Sequence, residues 1–558
     1  MMKFKKIAGL TLATLMVVST TACRGVGLGP EVVNKGDETK TIIKVGNYYG
    51  GLGDEWLTVV EQKFEAAYAN RSFEEGKMGV DIVIDNSNGY RGQNVIDAVD
   101  KNDVWFGYMM NYYDLVSQNI AMDISDVVTG DLGEVCEAEK GVTIESKLMD
   151  NVKGTFKAVG GGKYYGLPVY EGFYGLVYDI DLFESEGFYF IEGFDRNGNL
   201  DDMFVTSSAD VKSEGPDGKA GTYDDGLPET YKDFYNLCRY MKKYGVTPMT
   251  YPGAFMHYWL RYLFQVWADY EGAEQMSLNY NLSGIATDLV SLDENGNLVD
   301  KADVEVKPEN SYELQSQAGK YYALQFAKTL ASNSNWFSTA ASATGQTQEM
   351  AQKEFLYSSR NSNAPTIGMV LDGCWFNAEV DEAYTDMVNA GDATASKQNR
   401  KIGFMPIPKA TADKVGEKLT FVDTSRSVCF INSKVSGAKA EVAKLFLKYF
   451  HTNESIASYT EKTDATRPYK YTVDESKLTH FGRTMMNIHN NANVIYTYSS
   501  NQTYLKNSQI FEMDTWSFTS TNGNSNPFHV FRDKNVSVAD YFNGMYSTTK
   551  ASIDSLLN

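Results

Sequence analysis

From residue 41 the chain alternates short apolar runs, polar glycine-bearing loops and amphipathic stretches. Thr41-Ile-Ile-Lys-Val-Gly predicts a strand and residues 47–53 a loop. Residues 54–68, with Trp56, Val59, Val60 and Phe64 at helical spacing, predict an amphipathic helix. Residues 80–84 predict a second strand, closed by a polar loop at 85–90 and a helix from Arg91. Residues 104–110 predict a third, followed by Asn111-Tyr112-Tyr113. Strand, polar loop and helix in repetition is the pattern of a parallel α/β layer, whose ligands sit at the loops beyond strand C-terminal ends.

The pattern changes at 160–187. A Gly160-Gly161-Gly162 turn leads to a strand at 163–167, and Pro168 denies that strand a further ladder donor. Residues 175–178 predict a buried strand, with Asp181 capping a short helix at 182–185. Between them, 169–174 is a polar, aromatic crossing from one strand set to another, the place for a hinge and a ligand cleft. An acidic insertion spans 189–226, and Leu227-Pro-Glu-Thr-Tyr opens a helix running to 244. Residues 250–270 are dense in aromatics, with a helix expected from Phe255. Asp293-Glu-Asn-Gly-Asn-Leu predicts a hairpin turn. A helix at 311–332 precedes an Asn/Ser/Thr-rich linker, then a buried strand at 367–371 ends in Asp372-Gly-Cys-Trp-Phe-Asn-Ala-Glu379. Residues 401–408 predict a strand, 421–431 a second crossing and 439–450 a helix. Further helices and an Asn/Thr/Ser-rich loop at 519–526 complete the chain.

Gly162-Lys-Tyr-Tyr-Gly-Leu-Pro168, followed by Tyr178-Asp-Ile-Asp-Leu-Phe183 and Gly187, resembles the signature of extracellular solute-binding proteins of family 1, the sugar-binding lipoproteins of bacterial ABC importers. The aspartate-glycine-tryptophan turn, the Pro406/Pro408 strand and the second crossing follow in the family's order, so the resemblance covers most of 41–450. The acidic insertion departs from it. The resemblance implies a two-lobed periplasmic-binding-protein-like (type II) α/β fold with a hinge between discontinuous lobes. The N-lobe is expected from 41–170 and 427–480, and the C-lobe from 171–426 and 481–558. It also implies a carbohydrate ligand, ABC permease subunits as partners, and no enzymatic activity.

The N-terminus bears on location. Lys3, Lys5 and Lys6 precede an apolar stretch at 7–18 that is too short to span a bilayer. Ser19-Thr-Thr-Ala-Cys23 resembles a lipobox, with Thr20 where the family favours an apolar residue. The expectation is a signal peptide at 1–22, lipidation at Cys23, a flexible tether at 23–40, and a monomer anchored to the outer face of the cell membrane. The formal charge of −21 argues against nucleic acid and anionic membrane surfaces as partners. The remaining cysteines, Cys136, Cys238, Cys374 and Cys429, are widely separated and read as free thiols.

A saccharide site needs flat aromatic faces and a polar rim, and the chain holds 37 tyrosines. The candidates are Trp375 at the strand end, and Phe255 and Trp259 in the aromatic stretch. Tyr48, Tyr49, Asn86, Asn88 and Asn111 lie in post-strand loops. Tyr170 and Glu171 lie on the first crossing, Asp423 and Arg426 on the second. In the insertion, Asp195, Asn197, Asn199, Asp201, Asp217, Asp224 and Asp225 are the candidate ligands of a structural calcium ion, although the spacing is not that of an EF-hand. No motif for nucleophilic, zinc or phosphate chemistry is present. Two alternatives remain open: a surface glycoside hydrolase, whose carboxylate pair sequence does not mark, and an adhesion or sensing lipoprotein.

Overall fold

The computed structural model describes residues 35–360, 365–507, 518–520 and 526–557. The leader, Cys23, most of the tether and much of the 519–526 loop lie outside them. Two hydrophobic cores organise these residues, each around its own sheet. In the first lobe, Thr41–Tyr48 pairs in parallel with Val80–Ser87 on one side and Val104–Gly107 on the other. Val428–Ile431 adds antiparallel to Val104–Gly107, and the two-residue strand Leu167–Pro168 closes that edge. A proline fits there because an edge strand leaves one side of its ladder unpaired. Helix Glu55–Tyr68 buries Trp56, Leu57, Val60 and Phe64 against this sheet.

The second lobe is built on Tyr174–Asp179, antiparallel to both Ile367–Gly373 and Ile402–Met405, with Thr247–Thr250 parallel to Ile367–Gly373. Every residue of Ile367–Gly373 is buried, as its unbroken apolar run requires. Asp179, not Asp181, caps helix Ile180–Glu186, accepting from the Leu182 N–H at 3.2 Å. Asp179 ends the strand in extended geometry, as an N-cap must. Helix Tyr231–Lys243 starts in a Thr230/Asp233 capping box. The aromatic stretch forms a helix, His257–Asn281, kinked at Gly272 (φ 69°). The expected 311–332 helix divides into a 3₁₀ segment, Pro308–Ser316, and an α-helix, Ala318–Ser332. Val290–Leu292 and Leu298–Asp300 form the hairpin around Asp293. No helix among the described residues is long and apolar enough to cross a membrane.

The lobes join where 169–173 and 424–427 run side by side. Gly172 N donates to Asp423 Oδ1 (2.8 Å), Tyr170 N to Ser427 Oγ (3.0 Å) and Thr424 N to Gly172 O (3.1 Å). Thr420–Asp423 pairs in parallel with Asn493–Tyr496, bringing a third stretch to the junction. The fully buried Arg467 donates to Val169 O (2.7 Å) and Phe450 O (3.0 Å), fixing the first crossing to the first lobe.

Candidate functional site

Between the lobes lies a cavity of about 1030 Å³, walled by both lobes and floored by the crossings. The first lobe contributes the ends of its central strands. Tyr48 stacks on Tyr108 with centroids 4.6 Å apart, and Tyr108 faces Tyr170 of the crossing at 6.4 Å, nearly parallel. From the second lobe, Trp375 and Tyr258 approach Tyr174 edge-on at 4.7 and 5.2 Å. The result is a continuous aromatic lining that changes lobe at Tyr170. The glycine loop 50–53 of the first lobe overhangs Trp375: a Cβ built on Gly51, whose φ is +77°, would stand 3.5 Å from the Trp375 Cβ. Trp375 thus packs against both cores.

The polar rim includes Asn88, Arg91, Arg261, Gln352, Glu379, Thr424 and Ser425. Asn88 Oδ1 is buried with no hydrogen-bond partner among the described residues. Gln352 Nε2 donates to Asp372 Oδ2 (2.9 Å) and to Glu379 Oε2 (2.6 Å). Burial raises both carboxyl groups well above the ordinary range, and the Asp372 charge raises Glu379 further.

Beneath the cavity floor, the fully buried Glu171 carboxylate accepts from Thr466 Oγ1 (2.5 Å) and from the Tyr496 hydroxyl, and lies 3.0 Å from His489 Nδ1. Burial opposes its ionisation, but His489 and these hydrogen bonds hold its pKa below the usual glutamate value. Burial likewise opposes charge on His489, yet Glu171 raises it above the ordinary imidazole range. Among the described residues no cation pairs with Asp423 in this way. Burial pushes it up to about 7, and its Oδ2 has no partner among the described residues.

Of the candidates named from sequence, Tyr48, Tyr49, Asn88, Tyr170, Phe255 and Trp375 come together on this cavity, and Glu171 borders it with its carboxylate held beneath the floor. The others do not. Asn86 is drawn aside by Asn47 and Asp54. Asn111 caps helix Tyr112–Ser117. Trp259 is buried and stacked on Phe528 at 4.0 Å. Asp423 is turned to the amides of Gly172 and Ser425. Arg426 is buried in the second crossing with φ +43°. Sequence reasoning missed Arg91, Tyr108, Tyr174, Tyr258, Arg261, Gln352 and Glu379. Two of them carried a usable signal: Tyr174 lies in the predicted crossing, and Tyr108 follows at once on the strand Val104–Gly107, which ends earlier than the 104–110 expected.

The seven acidic and amide residues of the insertion do not form one shell. Asp201 pairs with Lys243, Asn197 accepts from Lys232, and Asp195 accepts from the Asn197 amide. Asp217, Asp224 and Asp225 form a separate group, with carboxylate oxygens 3.5, 2.6 and 3.3 Å from Thr222 Oγ1. Lysines offset the charge of the first group, and backbone amides occupy the carboxylates of the second. Among the described residues no group of three or more His, Cys, Asp or Glu side chains is arranged to hold a metal ion. A second cavity of about 860 Å³, lined by Tyr251, Phe337, Glu354 and Phe528, belongs to the second lobe alone, so lobe movement cannot close on it.

No protein-family model and no curated protein matches the chain. Solved structures do. The apo-form of RafE from Streptococcus pneumoniae aligns at 13% identity over 94% of this chain and 99% of its own, with a TM-score of 0.54. The GacH receptor of Streptomyces glaucescens, solved unliganded and with acarbose, aligns at 12% identity over 92% and 99%, TM-score 0.52. The Thermus thermophilus maltotriose binding protein, bound with maltotriose, aligns at 15% identity over 92% and 100%, TM-score 0.50. The fold is therefore that of the two-lobed solute-binding proteins.

Proposed function

We propose that this protein is the extracytoplasmic substrate-binding lipoprotein of an ABC importer and captures an oligosaccharide by lobe closure. The observation that carries this reading is the aromatic lining shared between lobes, with Trp375 packed against both cores. A ligand that touches both walls favours the closed form over the open one, and a membrane permease then reads the closed form. Aromatic faces suit the C–H sides of sugar rings, and the surrounding amides, carboxyls and hydroxyls suit their rims. The cavity stands at the upper end of the roughly 300–1,000 Å³ usual for small-molecule sites, which favours several rings over one. The fold neighbours point the same way: their names give acarbose and maltotriose as ligands.

In this reading the protein is a monomer held to the outer face of the membrane by a lipid on Cys23, and it performs no chemistry on its ligand. Calorimetric titration of the chain from Thr41 onward against an oligosaccharide panel tests it, with the ligand recovered and checked for cleavage. Saturable one-to-one binding of intact sugar is expected. Cleaved sugar would move the protein to the glycoside hydrolases. Mass spectrometry of the membrane-bound protein tests for a lipid-modified Cys23 as the first residue.

A further inference from the structure

Gln352, on helix Gln348–Ser358, places a single amide nitrogen between the Glu379 carboxyl of the cavity wall and the buried Asp372 carboxyl behind it. An amide donates two hydrogens but carries no charge, so it can orient two carboxylates without neutralising them. Among the described residues no lysine, arginine or histidine forms an ion pair with Asp372 or Glu379. Lys353 is paired at 2.8 Å with Glu349, which adds to the negative charge around Glu379. Tyr258, on helix His257–Asn281, Tyr174, on strand Tyr174–Asp179, and Tyr48, from the first lobe, are further titratable groups facing the pair. Arg91 and Arg261 line the same cavity. Two carboxylates so close, with Asp372 only 1% exposed, cannot both ionise cheaply.

Resting on the carbohydrate reading, we propose that Asp372, Gln352 and Glu379 hold one proton among them and present the Glu379 carboxylic O–H to an oxygen of an uncharged saccharide. Asp372 is buried and accepts from both Gln352 and the Gly373 N–H (2.8 Å), so its oxygens are committed within the wall. Glu379 is the half-buried member facing the first lobe, its Oε1 3.8 Å from where a Cβ on Gly51 would sit. Glu379 therefore offers a donor to the cavity, matching a hydroxyl or ring oxygen, and the charge held behind it disfavours a ligand that brings a further negative charge. Asp372 and Gln352 are positioning residues, and Glu379 is the contact.

The test has two parts. Intrinsic fluorescence of the ligand-free protein, corrected with a Trp375→Phe variant, is followed from about pH 5 to about pH 10, and a transition above the ordinary carboxylate range is expected. Glu379→Gln and Asp372→Asn should each move that transition downward by about one pH unit or more, because a like charge is removed. No transition above about pH 6, or one unmoved by both variants, would overturn proton sharing. In the second part, maltotriose, raffinose and tri-galacturonate are titrated into wild type and Glu379→Gln. The neutral sugar should lose about tenfold in affinity per pH unit above the transition in wild type, and much less in Glu379→Gln, which keeps an amide donor. Tri-galacturonate should bind at least about tenfold more weakly than the neutral sugar. Neutral-sugar affinity independent of pH, or preference for tri-galacturonate, would sink the donor role. Should neither neutral sugar bind, the carbohydrate reading fails and the donor role with it, while the fluorescence transition still decides proton sharing.

Discussion

His489 Nδ1 lies 3.0 Å from the Glu171 carboxylate, joining a helix of the second lobe to the first crossing at a point closed to solvent. His489 Nε2 lies 3.0 Å from the Tyr469 carbonyl, so the imidazolium donates on both sides. Removing one partner strands the other. His489→Ala should cost about 3–5 kcal/mol of unfolding free energy at neutral pH, read by urea denaturation. The Glu171 contribution is present above the usual glutamate pKa and is lost as pH falls through its lowered value. The His489 contribution is present below the usual imidazole pKa and is lost as pH rises through its raised value. Wild-type stability should fall on both sides of that window, and His489→Gln should lose the alkaline fall.

Asp423 behaves in the opposite way to Glu171. Its folded pKa is raised from 3.8 to about 7, so its contribution is full below 3.8 and is lost as pH rises through about 7. Asp423→Asn should be more stable than wild type at pH ~8, by up to a few kcal/mol, with the difference closing toward pH ~4. A constant difference across that range would remove Asp423 from the account.

Trp375→Ala tests the aromatic wall. Truncating a central aromatic contact should weaken oligosaccharide binding by roughly tenfold or more. Trp375 is half-buried at the junction of two cores rather than inside either, so far-ultraviolet circular dichroism should be unchanged. Trp259→Ala, by contrast, empties a core position stacked on Phe528 and should cost about 3–5 kcal/mol of stability.

The insertion bears on calcium. A shell shared by all seven residues would make the melting temperature fall in a chelator. The observed division, with Lys243 and Lys232 serving one group and backbone amides the other, predicts a change within about 1 °C. Differential scanning calorimetry with and without chelator checks it.

The strands were legible wherever burial on both faces forces an unbroken apolar run, as in Ile367–Gly373, or where a polar loop follows at once, as after Thr41–Tyr48. Trp375 was legible because it stands at the end of such a strand. Trp259 has the same chemistry but lies within a helix, and only its packing against Phe528, far along the chain, shows it to be core. Asn86 and Asn111 occupy the right loops. Their side chains are taken by local hydrogen bonds that loop position alone does not reveal. Helix Gln348–Ser358 was read as linker because its composition is polar, and those polar residues are what it turns toward the cleft. The meeting of Gln352 with Asp372 and Glu379 depends on the approach of that helix to the strand end, which no local pattern encodes.

The paired crossings have a mechanical consequence. Stretches 169–173 and 424–427 are tied to each other by hydrogen bonds, and Thr420–Asp423 is paired with Asn493–Tyr496 beside them. Two extended stretches hydrogen-bonded side by side, with a paired strand next to them, resist sliding past each other and yield more readily to bending across their width. The relative motion of the lobes is then chiefly a bend at these crossings. A single spectroscopic distance between them, taken across the mouth of the cleft, should therefore follow the opening and closing of the molecule.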